Sequence, residues 1–192
     1  YMISAHFGHF LDKPLESVAR FVKISPNAIT ITGFFITIVA GCTLPYHLLL
    51  GAFLILFGGV FDLLDGAVAR INGKESDFGA FLDSVLDRYS DAILFIGFVG
   101  YFLRQEHISF IGVFLTLGTM VGTLVISYAK ARAESLGKDC HVGIMERAER
   151  IILMVFGALT GWLVPVMAFM FVFTHITVLQ RIYHVWKIMK KG

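Results

Sequence analysis

The sequence predicts an all-α integral membrane protein, with six transmembrane helices behind an N-terminal amphipathic helix at the membrane interface. Three observations carry this expectation. Hydrophobic residues make up 57% of the 192-residue chain, and its mean hydropathy is +0.77, values that exclude an ordinary water-soluble domain. Apolar runs long enough to cross a bilayer, roughly 17 to 25 residues each, recur along the chain. Basic residues gather in alternate connections between those runs, as in a chain that passes repeatedly through a membrane.

Residues 1–24 mix Phe7, Phe10, Leu11, Leu15, Val18, Phe21 and Val22 with His, Lys and Arg at near-helical spacing. This predicts a juxtamembrane amphipathic helix lying on the cytoplasmic leaflet, or facing a partner subunit. No cleavable signal peptide is expected. Ser25-Pro26-Asn27 breaks that helix and opens the first span, with Pro at an early helical position. The spans are expected at about 28–45, 48–69, 79–103, 108–132, 148–164 and 165–186. Gly51, Gly58 and Gly59 in the second, and Gly112, Gly118 and Gly122 in the fourth, permit close helix contact. With no internal repeat and no low-complexity segment, residues 1–192 read as a single domain in which 25–192 form the six-helix bundle.

Orientation follows from the cations. Lys13, Arg20 and Lys23 precede the first span, and Arg70 and Lys74 lie between the second and third. Lys130, Arg132, Lys138, Arg147 and Arg150 surround the fourth-to-fifth connection, and Arg181, Lys187, Lys190 and Lys191 close the chain. The positive-inside rule therefore puts both termini and both basic connections in the cytoplasm of a multi-pass cell-membrane protein. Cys42 and Cys140 suggest neither a disulfide nor a metal cage, and the His residues lack ligand spacing.

Against this apolar background four aspartates stand out. Asp62, Asp65, Gly66, Ala69, Arg70, Gly79, Asp83 and Asp87 form the pattern D-x2-D-G-x2-A-R-x8-G-x3-D-x3-D. A carboxylate near lipid costs at least a few kcal/mol, so acids within spans mark functional sites with a compensating partner. Residues three or four apart share a helix face, so Asp62 with Asp65, and Asp83 with Asp87, make two rows of carboxylates able to face one another around shared cations. Oxygen ligands without Cys or His select Mg2+ or Mn2+ over zinc. Gly66 and Gly79, lacking a Cβ, allow backbone or ligand to approach closely. The acids lie within about three helical turns of the 70–79 connection, so the site opens to the cytoplasm.

This run of residues resembles the signature of the CDP-alcohol phosphotransferase family (class I CDP-alcohol phosphatidyltransferases), and every position of it is filled. The resemblance implies a metal-dependent transferase of phospholipid biosynthesis, in which a hydroxyl attacks the β-phosphorus of a CDP-linked lipid and CMP is released. It implies two metal ions, with Asp62 and Asp83 bridging both and Asp65 completing one site. Asp87 would complete the other and take the acceptor proton as the catalytic base. The metals acidify the attacking hydroxyl, so that even a metal-bound, weakly basic carboxylate suffices. The family's donor-binding positions fall on Pro26, Asn27, Gly66, Arg70 and Ser76; Arg70 would pair with the pyrophosphate, and Asn27 could instead be only a helix cap.

The second half bears on the acceptor. The stretch from Ser127 to Glu134, the stretch from Gly143 to Arg150, and Gln180-Arg181 resemble the branch of the family that makes phosphatidylinositol phosphate. The acceptor would then be inositol phosphate, a dianion, held by Lys130, Arg147 and Arg181, with Arg132 next. Each of these cations could equally serve topology or lipid headgroups, except Arg181, which sits in an apolar run and needs a partner. Asp91 extends the Asp83/Asp87 face by one turn and reads as a supporting or structural residue. A homodimer is expected from the small-residue spans and the resemblance; no nucleic acid is expected as a partner.

Two other readings compete. Glycerol-3-phosphate, also a phosphate dianion, is the rival acceptor, as in phosphatidylglycerol phosphate synthases. The sequence leaves the lipid open between acyl and isoprenoid, CDP-diacylglycerol or CDP-archaeol, so that the transferred group is phosphatidyl or archaetidyl. A divalent-cation transporter would also use facing acids, but such folds show internal repeats, and a cation path has no need of Gly66, Ala69 and Arg70.

Overall fold

The computed structural model describes residues 24–190. Six helices are present among them: α1 Pro26–Thr43, α2 Leu48–Ile71, α3 Asp77–Leu103, α4 Phe110–Ser135, α5 Arg147–Thr160 and α6 Leu163–Met189. The amphipathic helix expected over residues 1–24 lies outside the described residues. Four helices, α1, α2, α4 and α6, are long and apolar enough to cross a membrane. The acids and Arg88 interrupt the apolar character of α3, and α5 has only 14 residues, about 21 Å at 1.5 Å per residue. The protein is a membrane protein built entirely of helices among its described residues.

Helix limits follow local chemistry. Ser25 caps α1, its hydroxyl accepting from the Ala28 N–H at 3.4 Å, with Pro26 in the first turn. That capping role, left open for Asn27, therefore belongs to Ser25. α3 begins two residues before the expected position because Ser76 takes the Gly79 N–H at 3.1 Å. α4 runs on to Ser135 and closes with Gly137 at φ +68, where the Gly137 and Lys138 N–H groups return to the carbonyls of Glu134 and Ala133. α5 stops at Thr160 rather than 164, because Gly161 takes the left-handed conformation at φ +74.

The chain divides into two compact units at Gly97/Phe98, within α3. In the first unit α1 packs along α2. A methyl group placed on Gly33 would meet Phe61 Cβ at 2.9 Å, one on Gly58 the Thr37 hydroxyl at 3.0 Å, and one on Gly51 the side chain of Leu44 at 2.5 Å. Gly41 and Gly97 do the same for α1 against α3: a methyl on Gly41 would lie 2.5 Å from Ile93 Cγ2. Gly59 departs from the expectation of close packing, with nothing within 4 Å of an added Cβ. Ile29, Ala67 and Val68 form a buried cluster flanked by Phe61, Leu64 and Ile71. This cluster fixes the acid-bearing stretch of α2 beside the start of α1.

The second unit rests on α4 against α6. Thr116, Thr119, Thr123, Thr174 and Thr177 are all buried, and Thr119 donates to Leu115 O at 2.7 Å with Met167 O of α6 at 3.3 Å. Gly112, Gly118 and Gly122 meet Phe102, Phe171 and Thr174 respectively. Small residues here admit a neighbouring side chain, as the sequence implied.

Candidate active site

The site is built in the first unit, from the last turns of α2, the first turns of α3 and the start of α1. Helical spacing places Asp62 on α2 and Asp83 and Asp87 on α3 so that one carboxylate oxygen from each lies within 4.8 Å of the others. All three are half-buried. Asp65, one turn along from Asp62, is 6% exposed. It lies within electrostatic reach of Asp83 and Asp62, with the Thr30 hydroxyl and the Gly66 backbone beside it. Its Oδ2 is buried and has no hydrogen-bond partner. Acids so placed repel one another, and an oxygen-seeking divalent cation satisfies them. The donor set, carboxylates without thiolate or imidazole, fits Mg2+ or Mn2+.

An open cleft adjoins these acids, lined by Pro26, Asn27, Thr30, Asp65, Gly66, Ala69, Arg70, Lys74, Glu75, Ser76, Gly79, Ala80 and Asp83. Every expected donor-binding residue is among them: Pro26, Asn27, Gly66, Arg70 and Ser76. Gly79 is tightly seated, since an added methyl would come 3.0 Å from Ser76 Oγ and 3.1 Å from Asn27 Oδ1. Gly66 faces the Arg70 guanidinium, 3.2 Å from an added Cβ. Thr30 and Glu75 escaped the sequence reading, and Lys74 entered it only as a cation that sets orientation. Thr30 is buried, and its hydroxyl donates to the Pro26 carbonyl at 3.1 Å while lying beside Asp65, so it joins the start of α1 to the acid row.

The expected acceptor residues lie in the second unit. Lys130 sits 3.9 Å from Glu134 one turn along α4. Arg132 is exposed, with NH1 3.3 Å from Ser135 Oγ. Arg147 is the first residue of α5. Arg181, 4% exposed on α6, donates from Nε to Val142 O at 2.9 Å and from NH1 to Ile126 O at 2.6 Å. Its requirement for a partner is thus met in part by backbone carbonyls. Asp91 is buried, and Arg88 pairs with Asp87 at 3.8 Å while donating to Ser84 O at 2.6 Å.

Membrane helices carrying a carboxylate cluster beside a glycine-lined cleft that also holds Arg70 and Lys74 fit the class of membrane enzymes that act on anionic groups. A sequence model described as CDP-alcohol phosphatidyltransferase matches residues 23–187, and the chain belongs to that family. The archaetidylinositol phosphate synthase of Methanothermobacter thermautotrophicus is 37% identical over 183 residues, spanning 92% of this chain and 90% of the relative. The phosphatidylinositol phosphate synthase of Mycobacteroides abscessus is 37% identical over 78% of this chain and 68% of its own. Crystal structures of the Mycobacterium tuberculosis phosphatidylinositol phosphate synthase are similar in fold. The form with CDP-DAG bound has a TM-score of 0.82 at 34% identity, covering 90% of this chain and 93% of that one. The form in complex with manganese and citrate also has a TM-score of 0.82 at 34% identity, covering 91% and 88%.

Proposed function

We propose that this protein transfers the phosphatidyl or archaetidyl group of a CDP-linked lipid to a hydroxyl of inositol phosphate and releases CMP. The observation that carries the reading is the meeting of Asp62, Asp83 and Asp87 within 4.8 Å beside a cleft lined by the rest of the signature. The relatives' names supply the substrate class: archaetidylinositol and phosphatidylinositol phosphate synthases.

Asp62, Asp65, Asp83 and Asp87 would hold two ions, Mg2+ or Mn2+. When bound, these supply neutralisation of the pyrophosphate charge and acidify the attacking hydroxyl. Arg70 pairs with the pyrophosphate, and Pro26, Asn27 and Ser76 shape the nucleotide's seat beside Gly66. Asp87 takes the acceptor proton as the hydroxyl oxygen forms its bond to the β-phosphorus. The bond from that phosphorus to the bridging oxygen breaks, and CMP leaves with the electron pair. Lys130, Arg132, Arg147 and Arg181 bind the acceptor phosphate through charge-assisted hydrogen bonds.

The enzyme acts as a single-domain homodimer with six spans, α3 and α5 included, and with its termini and site on the cytoplasmic side. Purified enzyme offered CDP-lipid with inositol phosphate, glycerol-3-phosphate or free inositol, its labelled products resolved by thin-layer chromatography, tests the reading. Turnover confined to inositol phosphate supports it. Preference for glycerol-3-phosphate transfers the chain to the neighbouring branch, and equal use of free inositol removes the phosphate-binding role of the cations.

A further inference from the structure

The connection between α4 and α5 is tied to α6 at two points, and one of them sits two residues before Arg147. Arg181 holds Val142 O at 2.9 Å. One helical turn earlier, Thr177 Oγ1 accepts the Met145 N–H at 3.1 Å and donates to Phe173 O of its own helix at 2.8 Å. The hydroxyl proton is thereby directed at Phe173, leaving a lone pair for Met145. Thr177 is fully buried and Met145 is 3% exposed, so the bond is shielded from bulk solvent. Met145 O is in turn held by Arg150 NH1 at 3.2 Å.

These contacts hold the chain at the residue just before Glu146, the N-cap of α5. Gly143 adapts the connection to the same threonine. Its φ of +143 suits glycine, and an added methyl would come 2.6 Å from Thr177 Cγ2. Backbone and hydroxyl are therefore fitted to one another at the point where the chain turns into α5.

We propose that Thr177 is a positioning residue of the acceptor site: its hydroxyl sets the entry of α5 and thereby where Arg147, the first residue of that helix, presents its guanidinium to the acceptor phosphate. This rests on the acceptor reading of Arg147 given above. The sequence offered no sign of it, since a threonine in an apolar helix usually satisfies its hydroxyl on the preceding turn alone.

Thr177→Val keeps the shape and removes the acceptor, whereas Thr177→Ser keeps the hydroxyl. KM values for inositol phosphate and for CDP-lipid, with kcat, are measured on each variant in lipid discs. Thr177→Val should raise the inositol-phosphate KM about tenfold, the scale of one buried hydrogen bond, with the CDP-lipid KM within about twofold of the parent; Thr177→Ser should behave as the parent. Thr177→Ala provides a second hydroxyl-free protein should the valine variant not be recovered folded. An unchanged acceptor KM, a parallel rise in both KM values, or a serine variant as impaired as the valine one overturns the proposal. Arg147→Ala separates the two levels of inference. If it leaves the inositol-phosphate KM unchanged, the acceptor reading itself fails; if it raises that KM while Thr177→Val does not, only the positioning role is lost.

Discussion

Asp62, Asp83 and Asp87 are the residues on which the proposed chemistry turns, and each is expected to fail in its own way. Asp62→Asn or Asp83→Asn should abolish CMP release without unfolding the protein, because removing one shared charge from a cluster spanning 4.8 Å undoes the cation site. Titration with Mg2+ and Mn2+ after chelator treatment checks this, and metal-independent CMP release would overturn it. Asp87→Asn should keep CDP-lipid binding while turnover falls by about two to four orders of magnitude, the usual cost of losing a general base; turnover within about tenfold of the parent would remove Asp87 from that role. Arg147→Ala should raise the inositol-phosphate KM about tenfold to a hundredfold with CDP-lipid affinity unchanged. Arg181→Ala is a less selective probe. It abandons the carbonyls of Val142 and Ile126, at about 1 to 3 kcal/mol for each buried group left unpaired, so stability should fall along with acceptor binding. The four aspartates were legible in the sequence because charge in an apolar run is conspicuous. Thr30 and Thr177 were not, because nothing in the order of residues shows which threonine hydroxyl reaches beyond its own helix.

At the scale of elements, the glycines divide into those that are contacts and those that are not. Gly41→Ala should destabilise the protein by about 1 to 3 kcal/mol, since its methyl would meet Ile93 Cγ2 at 2.5 Å and the Ile93 carbonyl oxygen at 2.9 Å. Gly59→Ala, with open space around the new methyl, should be neutral or stabilising by up to about 1 kcal/mol through helix propensity. Thermal unfolding in detergent distinguishes them, and equal Tm shifts would remove the packing explanation. Hydropathy located every helix among residues 24–190, but apolarity reports burial or lipid contact and not where a helix stops. The α5–α6 break was misplaced by four residues because the surrounding run, LMVFGALTGWLVPVMAF, is apolar on both sides of Gly161. The start of α3 was missed by two because a serine cap was read only as a ligand position.

For the whole molecule, the prediction is a homodimer: native mass measurement in detergent and in lipid discs should give twice the 21.4 kDa of the chain, and a monomer in both would refute it. The family, its chemistry and its membrane class were legible from one run of eight residues and the hydropathy around it. The joining of the α4–α5 connection to α6 was not, because on the side of the connection it is made by backbone groups, Val142 O and Met145 N–H, and every residue type but proline carries the same ones.

The length of α5 carries a consequence for the lipid itself. Fourteen residues span about 21 Å, whereas the hydrocarbon layer is about 30 Å thick. Beyond Gly161 the chain turns at Trp162, a 65% exposed indole of the kind that anchors at headgroup depth. Were α5 to cross the bilayer as proposed, a span this short, pinned by that ring, would draw the two leaflets toward each other, and hydrophobic mismatch of this size costs a fraction of a kcal/mol per ångström. Bilayer thickness would then be a variable of the enzyme: short-chain lipids would relieve the mismatch and long-chain lipids aggravate it, so the membrane that supplies the substrate would also set the tension under which α5 is held.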